Sequence, residues 1–249
     1  MDSMSRLLKL AQNRRHIQES LEIIEEALAK YKLDQTCISF NGGKDCTAVL
    51  HLVHSIARKL SQDNDQVNLM AFYSQLPNHF EEEAKFVRET VKRYNLKLMQ
   101  YSLDGSLKES LGAFKKDMPN VEAIFIGTRR DDFKPGTQMD PMAPTNNGWP
   151  KFMRINPIIN WSYSQVWEFI RELDIPYCDL YNQGYSSLGT RSDTTRNSSL
   201  LRYDEHGKAH YMPAWHLTSS KEERLSRSSS MDTSALVRNE QLPSGRNEQ

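Results

Sequence analysis

The sequence predicts an α/β fold: a doubly wound, mainly parallel sheet of five or more strands, helices on both faces, and a C-terminal extension. Three observations carry this. The strand-length apolar run at residues 121–126 is continuous rather than alternating, as in strands buried on both faces. Such runs alternate with segments of helical period. A glycine pair, Gly42-Gly43, stands where the first run meets its helix. Rossmann-like sheets of this kind bind ligands beyond the carboxyl ends of their strands, near the point where strand order reverses.

In chain order, residues 5–32 carry Leu7, Leu10, Ile17, Leu21, Ile24, Leu28 and Tyr31 at spacings of three, four and seven. This predicts one amphipathic packing helix over the first 32 residues, ahead of a nucleotide-binding catalytic region at 33–227 whose extension begins near 180. Residues 36–38 read as a strand, and the following segment through Leu60 as a helix apolar over a broad face. His51 and His54 lie three apart on it; with no third ligand near in sequence, they read as packed or solvated. Residues 61–65 form a polar break.

Residues 67–73 predict a second strand and 96–101 a third. Between them lies a helix with Glu81, Glu82 and Glu83 in its first turn, where acid complements the helix dipole. A further helix starts around residues 103–106 and runs to about Met118. Residues 121–126 give the fourth strand. Residues 134–151, rich in Pro, Gly and Asn, read as a lid, a binding loop or a flexible insertion. Residues 154–162 predict a fifth strand, a turn and a helix N-cap at Ser162, followed by a helix burying Val166, Trp167, Phe169, Ile170 and Leu173. Residues 203–211, around His206-Gly207, predict a small hairpin. Residues 228–249 are polar and predicted disordered, with Arg-x-x-Ser spacings open to phosphorylation.

Composition sets limits. Lys plus Arg equals Asp plus Glu, 32 of each, so no global field draws the chain to nucleic acid or an acidic membrane. No apolar run reaches the roughly 18 residues of a membrane span. The three cysteines, Cys37, Cys46 and Cys178, lack metal-ligand spacing and point to a reducing compartment. Arg14, Arg15 and Leu7-Leu8-Lys9-Leu10 read alternatively as a mitochondrial presequence. Glu19, Glu22, Glu25 and Glu26 soon follow, and an amphipathic helix accounts for the same residues, so the cytoplasm is the default expectation, with a mitochondrial form as the alternative; separately, a monomer is expected.

The chemistry-bearing residues fall on the predicted strand ends. Ser39-Phe40-Asn41-Gly42-Gly43-Lys44-Asp45-Cys46 joins strand to helix. Glycines there admit a phosphate close to the backbone, and the helix N-terminus turns N–H groups toward it. Ser39 and Asn41 add donors, Lys44 adds a charge, and Asp45 offers a carboxylate to a metal accompanying polyphosphate. Cys46, at a helix start, is expected to have a lowered thiol pKa, with a packing or redox-sensitive role. The spacing is not Gly, four residues, then Gly-Lys-Ser/Thr. A plain β-turn-α corner would explain the glycines alone but not the Ser, Asn, Lys and Asp around them. Gly127-Thr128-Arg129-Arg130-Asp131-Asp132-Phe133 is the second such stretch; self-paired surface charge is its alternative reading. Tyr73 ends the second strand on the same predicted rim.

The octet resembles the pyrophosphate loop of enzymes that split ATP between its α- and β-phosphates, and its Phe-Asn-Gly-Gly-Lys-Asp-Cys form resembles eukaryotic FAD synthases. The Gly-Thr-Arg-Arg loop is similar to the same family, although Phe133 replaces its proline. Further resemblance lies in Asn156-Pro157-Ile158-Ile159-Asn160-Trp161-Ser162, in Gly184-Tyr185-Ser186-Ser187-Leu188-Gly189 and in the pair Arg224 and Arg227; together it spans about residues 15–227. Phosphoadenylyl-sulfate reductases share part of the pattern. A reductase of that type carries a cysteine near its C-terminus, and none follows Cys178 here. Paired thiolation cysteines are also absent. The larger animal enzymes of the family carry an additional N-terminal domain, so this chain is expected to be the synthase module alone.

The resemblance implies FMN adenylylation: FMN and Mg-ATP give FAD and pyrophosphate. It implies catalytic roles for Asn41, Lys44, Asp45, Arg129, Arg224 and Arg227. ATP would meet Ser39, Phe40, Asn41, Gly42, Gly43, Lys44, Asp45, Tyr73, Gly127 and Arg129. FMN would meet Arg130, Asp132, Trp149, Asn156, Trp161, Arg191, Arg224 and Arg227, and Asp45 would hold Mg²⁺. The expected partners are these small molecules and, beyond them, client apo-flavoproteins. A non-catalytic nucleotide-binding module is the rival of a different class; Lys44 and Asp45, which it has no need of, are both present.

Overall fold

Each predicted parallel strand is present, and one more strand joins them at an edge. The structure is a computed structural model that describes residues 3–61, 67–75, 77–102, 106–133, 137, 139–146 and 148–227. The predicted tail at 228–249, most of the polar break and the helix start at 103–105 lie outside the described residues. The elements in order are α1 (Ser3–Asn13), α2 (Arg15–Lys30), β1 (Thr36–Ser39), α3 (Lys44–Leu60), β2 (Met70–Gln75), α4 (Glu81–Arg93) and β3 (Lys97–Ser102). There follow α5 (Leu107–Asp117), β4 (Ala123–Phe125), β5 (Met142–Pro144), β6 (Met153–Ile155), α6 (Tyr163–Glu172) and the hairpin β7 (Leu201–Tyr203) and β8 (Ala209–Tyr211).

The main sheet has the order β3-β2-β1-β4-β6-β5. Pairing is parallel from β3 through β6, with Ile38 beside Ala71 on one side and Phe125 on the other. Strand order reverses between β1 and β4, so the crevice for a ligand opens between the loops that follow these two strands. Side chains alternate across the sheet. Ile38, Ala71, Tyr73, Ala123 and Phe125 enter one core with α1, α2, α3, α4 and α6. Cys37, Met70, Phe72 and Ile124 enter the other with Leu111 and Phe114 of α5. Continuous apolar strands are what this two-sided burial requires.

Three expectations are corrected. The single N-terminal helix is two, broken at Arg14, which is extended at φ −136°, ψ 97°. Arg14 turns the chain there and pairs with Glu172 and, at 3.5 Å, with Glu168 of α6. Strand β2 runs three residues later at its start and two later at its end than the reading of 67–73. Val67 and Leu69 are buried but precede the ladder, which begins with Met70 opposite Lys97. The 134–151 stretch contains β5, an antiparallel edge strand on β6. Pro144 cannot donate to a ladder, and at an edge it has no need to.

Two helix starts follow local chemistry. Ser106 Oγ accepts from Glu109 N and Ser162 Oγ from Gln165 N, each at 3.2 Å, with the third helical residue reaching back in a capping box. Gly207, at φ +75°, turns the hairpin. Among the described residues no helix is long and apolar enough to cross a membrane.

Candidate active site

The site begins where β1 runs into α3. Phe40 is fully buried, while Gly42 adopts φ +82° and reverses the chain. That conformation strains any residue with a Cβ, which here would also lie 3.2 Å from Val87 Cγ2. Asn41 Oδ1 accepts from Gly43 N at 3.1 Å and from Cys46 Sγ at 3.0 Å, which holds the turn. Tyr181 Oη accepts from Lys44 N at 3.0 Å, so one first-turn amide of α3 is capped from the segment after α6. Burial pushes the Cys46 thiol up to about 12. This corrects the expectation from helix position: desolvation of the thiolate outweighs the dipole at a site 6% exposed.

The loop after β4 lies against the same helix end. A Cβ on Gly127 would sit 2.7 Å from Cys46 N and 2.8 Å from the Asp45 carbonyl carbon, so only glycine permits this approach. Two residues later Arg129 is buried, with Nε 2.8 Å from Asp45 Oδ1 and Nη2 donating to Glu223 Oε2 at 2.6 Å. Lys44 Nζ pairs with Asp45 Oδ2 at 2.8 Å and with Glu223 Oε1. Lys44, Asp45, Arg129 and Glu223 thus form a quartet of alternating sign, buried except for the partly exposed Asp45.

Burial alone would lower the Lys44 and Arg129 pKa values, but Asp45 and Glu223 more than reverse this, so both stay cationic. Burial would raise Asp45, and Arg129 followed by Lys44 pull it below the usual carboxylate range. Lys44 Nζ also stands 5.2 Å from the Tyr163 ring centroid, a cation–π contact.

Glu223 comes from a C-terminal strap, a 3-10 segment at Ser220–Ser226. Ser186 Oγ donates to Glu223 O at 2.6 Å, and Asn197 Nδ2 to Ser186 Oγ and Glu222 O, both at 2.7 Å. Arg227 Nη1 donates to Leu188 O at 2.6 Å and Nη2 lies 3.2 Å from Asp193 Oδ2. A Cβ on Gly189 would meet the Arg227 guanidinium at 2.2 Å, so a side chain there would displace that guanidinium. Arg224 Nη2 donates to Asp132 Oδ1 at 2.8 Å, and Asp132 Oδ2 accepts from Arg129 N at 2.8 Å, so Asp132 ties the strap to the arginine loop.

These parts enclose a cavity of about 230 Å³. Of the sequence-predicted residues, Ser39, Phe40, Asn41, Gly43, Lys44, Asp45, Gly127, Asp132, Arg224 and Arg227 line it. Gly42 shapes the loop, and Arg129 stands behind it in the quartet. The others are placed elsewhere. Tyr73 points to the opposite face of β2 from the cavity-lining Phe72 and Ser74, by strand alternation. Trp161 Nε1 donates to His16 O at 3.1 Å and Ser20 Oγ at 2.9 Å, fixing α2 against the start of α6. Asn156 is buried beside Met139, and its backbone N donates to Pro141 O. Trp149 packs on the α5 face of the sheet. Arg130 Nε donates to Asn160 Oδ1 at 2.8 Å on the surface, and Arg191 is exposed, its backbone N bonded to Asn78 O. Sequence reading missed Glu223, Tyr181, Ser74 and the functional potential of Glu83. The only available signal for Glu223 was its place next to Arg224.

Among the described residues no group of three His, Cys, Asp or Glu is arranged to hold a metal. Mg²⁺ bound with polyphosphate needs only one or two protein carboxylates, the rest of its shell coming from phosphate and water. Asp45 fits that requirement. Its carboxylate lines the cavity between Lys44 and Arg129.

Comparison with known proteins places the chain in a family. The phosphoadenosine phosphosulfate reductase domain matches residues 35–196. A probable FAD synthase of Schizosaccharomyces pombe is 36% identical over 223 residues, covering 88% of this chain and 81% of that protein. A probable FAD synthase of Caenorhabditis briggsae is 37% identical over 86% of this chain, which spans only 40% of its length. The crystal structure of Candida glabrata FMN adenylyltransferase in complex with FAD and inorganic pyrophosphate superposes with a TM-score of 0.79, at 26% identity, over 87% of this chain and 90% of that one. The glycine loop at the strand-order reversal and the arginine loop packed on it both lie within residues 35–196, and the chain belongs to the FAD synthase family, within the wider phosphoadenosine phosphosulfate reductase domain family.

Proposed function

We propose that the chain is an FMN adenylyltransferase, joining FMN to the adenylyl group of ATP and releasing pyrophosphate. The observation that carries this reading is the convergence of Lys44, Arg224 and Arg227 on one cavity beside the glycine loop, with Arg129 directly behind. Lys44 precedes the strap arginines by some 180 positions, and a pair of phosphates is the ligand such an array suits.

The nucleophile is an FMN phosphate oxygen. A phosphate monoester has a second pKa of about 6, so it is dianionic at neutral pH and needs no general base. Its oxygen attacks the α-phosphorus of ATP as the bond to the bridging oxygen breaks, and pyrophosphate leaves. Positioning and charge neutralisation are the main tasks of such a site. The glycine loop and Lys44 hold the departing pyrophosphate; Arg224 and Arg227 offset the two anions brought together. Arg129 and Glu223 keep Lys44 and Asp45 in place. Asp45 would hold Mg²⁺, which when bound would supply neutralisation of charge on the polyphosphate.

Thermal unfolding with ligands tests the acceptor. Stabilisation by FMN in the presence of a non-hydrolysable ATP analogue supports the reading. Stabilisation by adenylyl sulfate, with none by FMN, would move the chain to the sulfur-reducing chemistry of the wider family.

A further inference from the structure

Glu83 stands in the first turn of α4, 5% exposed, on the wall of the same cavity. Its Cγ lies 3.4 Å from the position a Cβ would take on Gly42, so the carboxyl is seated directly beside the phosphate loop. Glu83 Oε2 is buried and has no hydrogen-bond partner among the described residues. The groups that face it are Arg227 of the strap, Tyr73 of β2 and Cys178 after α6; Glu82 is its acidic neighbour on α4. Arg227 directs its guanidinium to Leu188 O and Asp193. Burial raises the Glu83 carboxyl to about 7, partly opposed by Arg227.

A carboxyl in this position repels phosphate when ionised, yet it accepts strongly from a hydroxyl. A phosphate ester seated on the loop carries polyol hydroxyls a few bonds away: the ribose of ATP or the ribityl chain of FMN. An unpartnered buried acceptor at that distance from a phosphate cradle matches this chemistry.

We infer that Glu83 is a specificity-determining residue that accepts a hydrogen bond from a hydroxyl of the polyol attached to the loop-bound phosphate. The inference rests on the proposed reaction of FMN with ATP. Because ionisation of Glu83 strengthens this bond and also adds repulsion toward phosphate, substrate affinity depends on pH around neutrality through Glu83. A merely structural Glu83 would show no such selectivity between substrates.

The test compares wild type with Glu83→Gln. KM for FMN, ATP, 2′-deoxy-ATP and 3′-deoxy-ATP is measured from pH 6 to 8.5, with thermal unfolding as a check on folding. FAD formation by the wild type comes first; its failure would overturn the reaction and not this assignment. The expected result is a rise of about tenfold in one substrate's KM, kcat little changed, and a flattened pH dependence of that KM relative to wild type. A change for ATP, with a deoxy analogue impaired in wild type but not further in the variant, assigns the ribose. A change confined to FMN assigns the ribityl chain. Glu83→Asp, which keeps the acid but withdraws it, carries the same comparison if the Gln variant does not fold. KM values for both substrates equal to wild type at every pH, whether or not kcat falls, would overturn the inference.

Discussion

Arg129 Nη2 donates to Glu223 Oε2 at 2.6 Å, joining the loop after β4 to a strap 94 residues further along the chain. The same carboxylate pairs with Lys44, so one acid from the C-terminal extension orders the cations of two loops. Removing one member of a buried charge network costs about 3–5 kcal/mol, because its partners remain desolvated. Glu223→Ala is therefore expected to lower unfolding free energy by that order in urea titration, and to lower kcat/KM with it. A variant as stable and active as wild type would deny the quartet any role.

Arg129→Lys keeps the charge but removes the planar fork that reaches Asp45 and Glu223 together. The expected outcome is a fall in kcat/KM of about a hundredfold, in the range found when one fixed electrostatic donor is lost from an active site. Steady-state kinetics on the folded variant check it.

Glycine substitutions separate contact from flexibility. Gly127→Ala drives a Cβ into the backbone of Asp45 and Cys46, and overpacking of this kind costs about 1–3 kcal/mol. The first turn of α3 moves, so activity is expected to fall more than stability. At Gly112 of α5 a Cβ would meet nothing within 4 Å, and Gly112→Ala is expected to raise stability by up to about 1 kcal/mol with activity unchanged. Chemical denaturation and turnover on the two variants test the contrast.

The pH dependence of stability has opposite slopes from two buried groups. Glu83 is raised from 4.5 to about 7 by burial. Its folded form holds a proton that the unfolded form releases, so its contribution is full below about 4.5 and is lost as pH rises toward 7. That shift corresponds to about 3 kcal/mol, and Glu83→Gln removes the slope. The stability of wild type relative to the variant should therefore decline between pH 5 and 8. His51 is lowered from 6.5 to about 4, by burial and then by His54 and Arg6. Its contribution is present above 6.5 and lost as pH falls toward 4. Urea midpoints across pH 4–8, with Glu83→Gln and His51→Gln, resolve the two.

Cys46 is expected to resist alkylation. Its thiol is raised to about 12, so little thiolate forms at neutral pH. Mass-resolved iodoacetamide labelling at pH 7.5 should mark it only after unfolding; rapid labelling of folded protein would contradict the burial argument.

The glycine octet and the arginine loop were legible because each is contiguous, and strand-to-helix punctuation placed both on one rim. Glu223 was not, since it stands in the charged run Lys221-Glu222-Glu223-Arg224 and only the fold brings it to Lys44. Aromatic content gave no guide to position: Trp161 is committed to His16 and Ser20, and Trp149 to the α5 core. Strand alternation decides against Tyr73 and for Phe72 and Ser74, but the exact strand limits were needed to see it. The break at Arg14 left no glycine or proline in the sequence, since ion pairs to α6 hold it.

Whether this cavity adenylylates FMN is decided by measuring pyrophosphate release from Mg-ATP with and without FMN while following the flavin product by chromatography. FMN-dependent pyrophosphate matched one-to-one by FAD, and abolished by Lys44→Met, is the expected result. Pyrophosphate release that ignores FMN, or ATP binding with no FAD formed, would contradict the assignment.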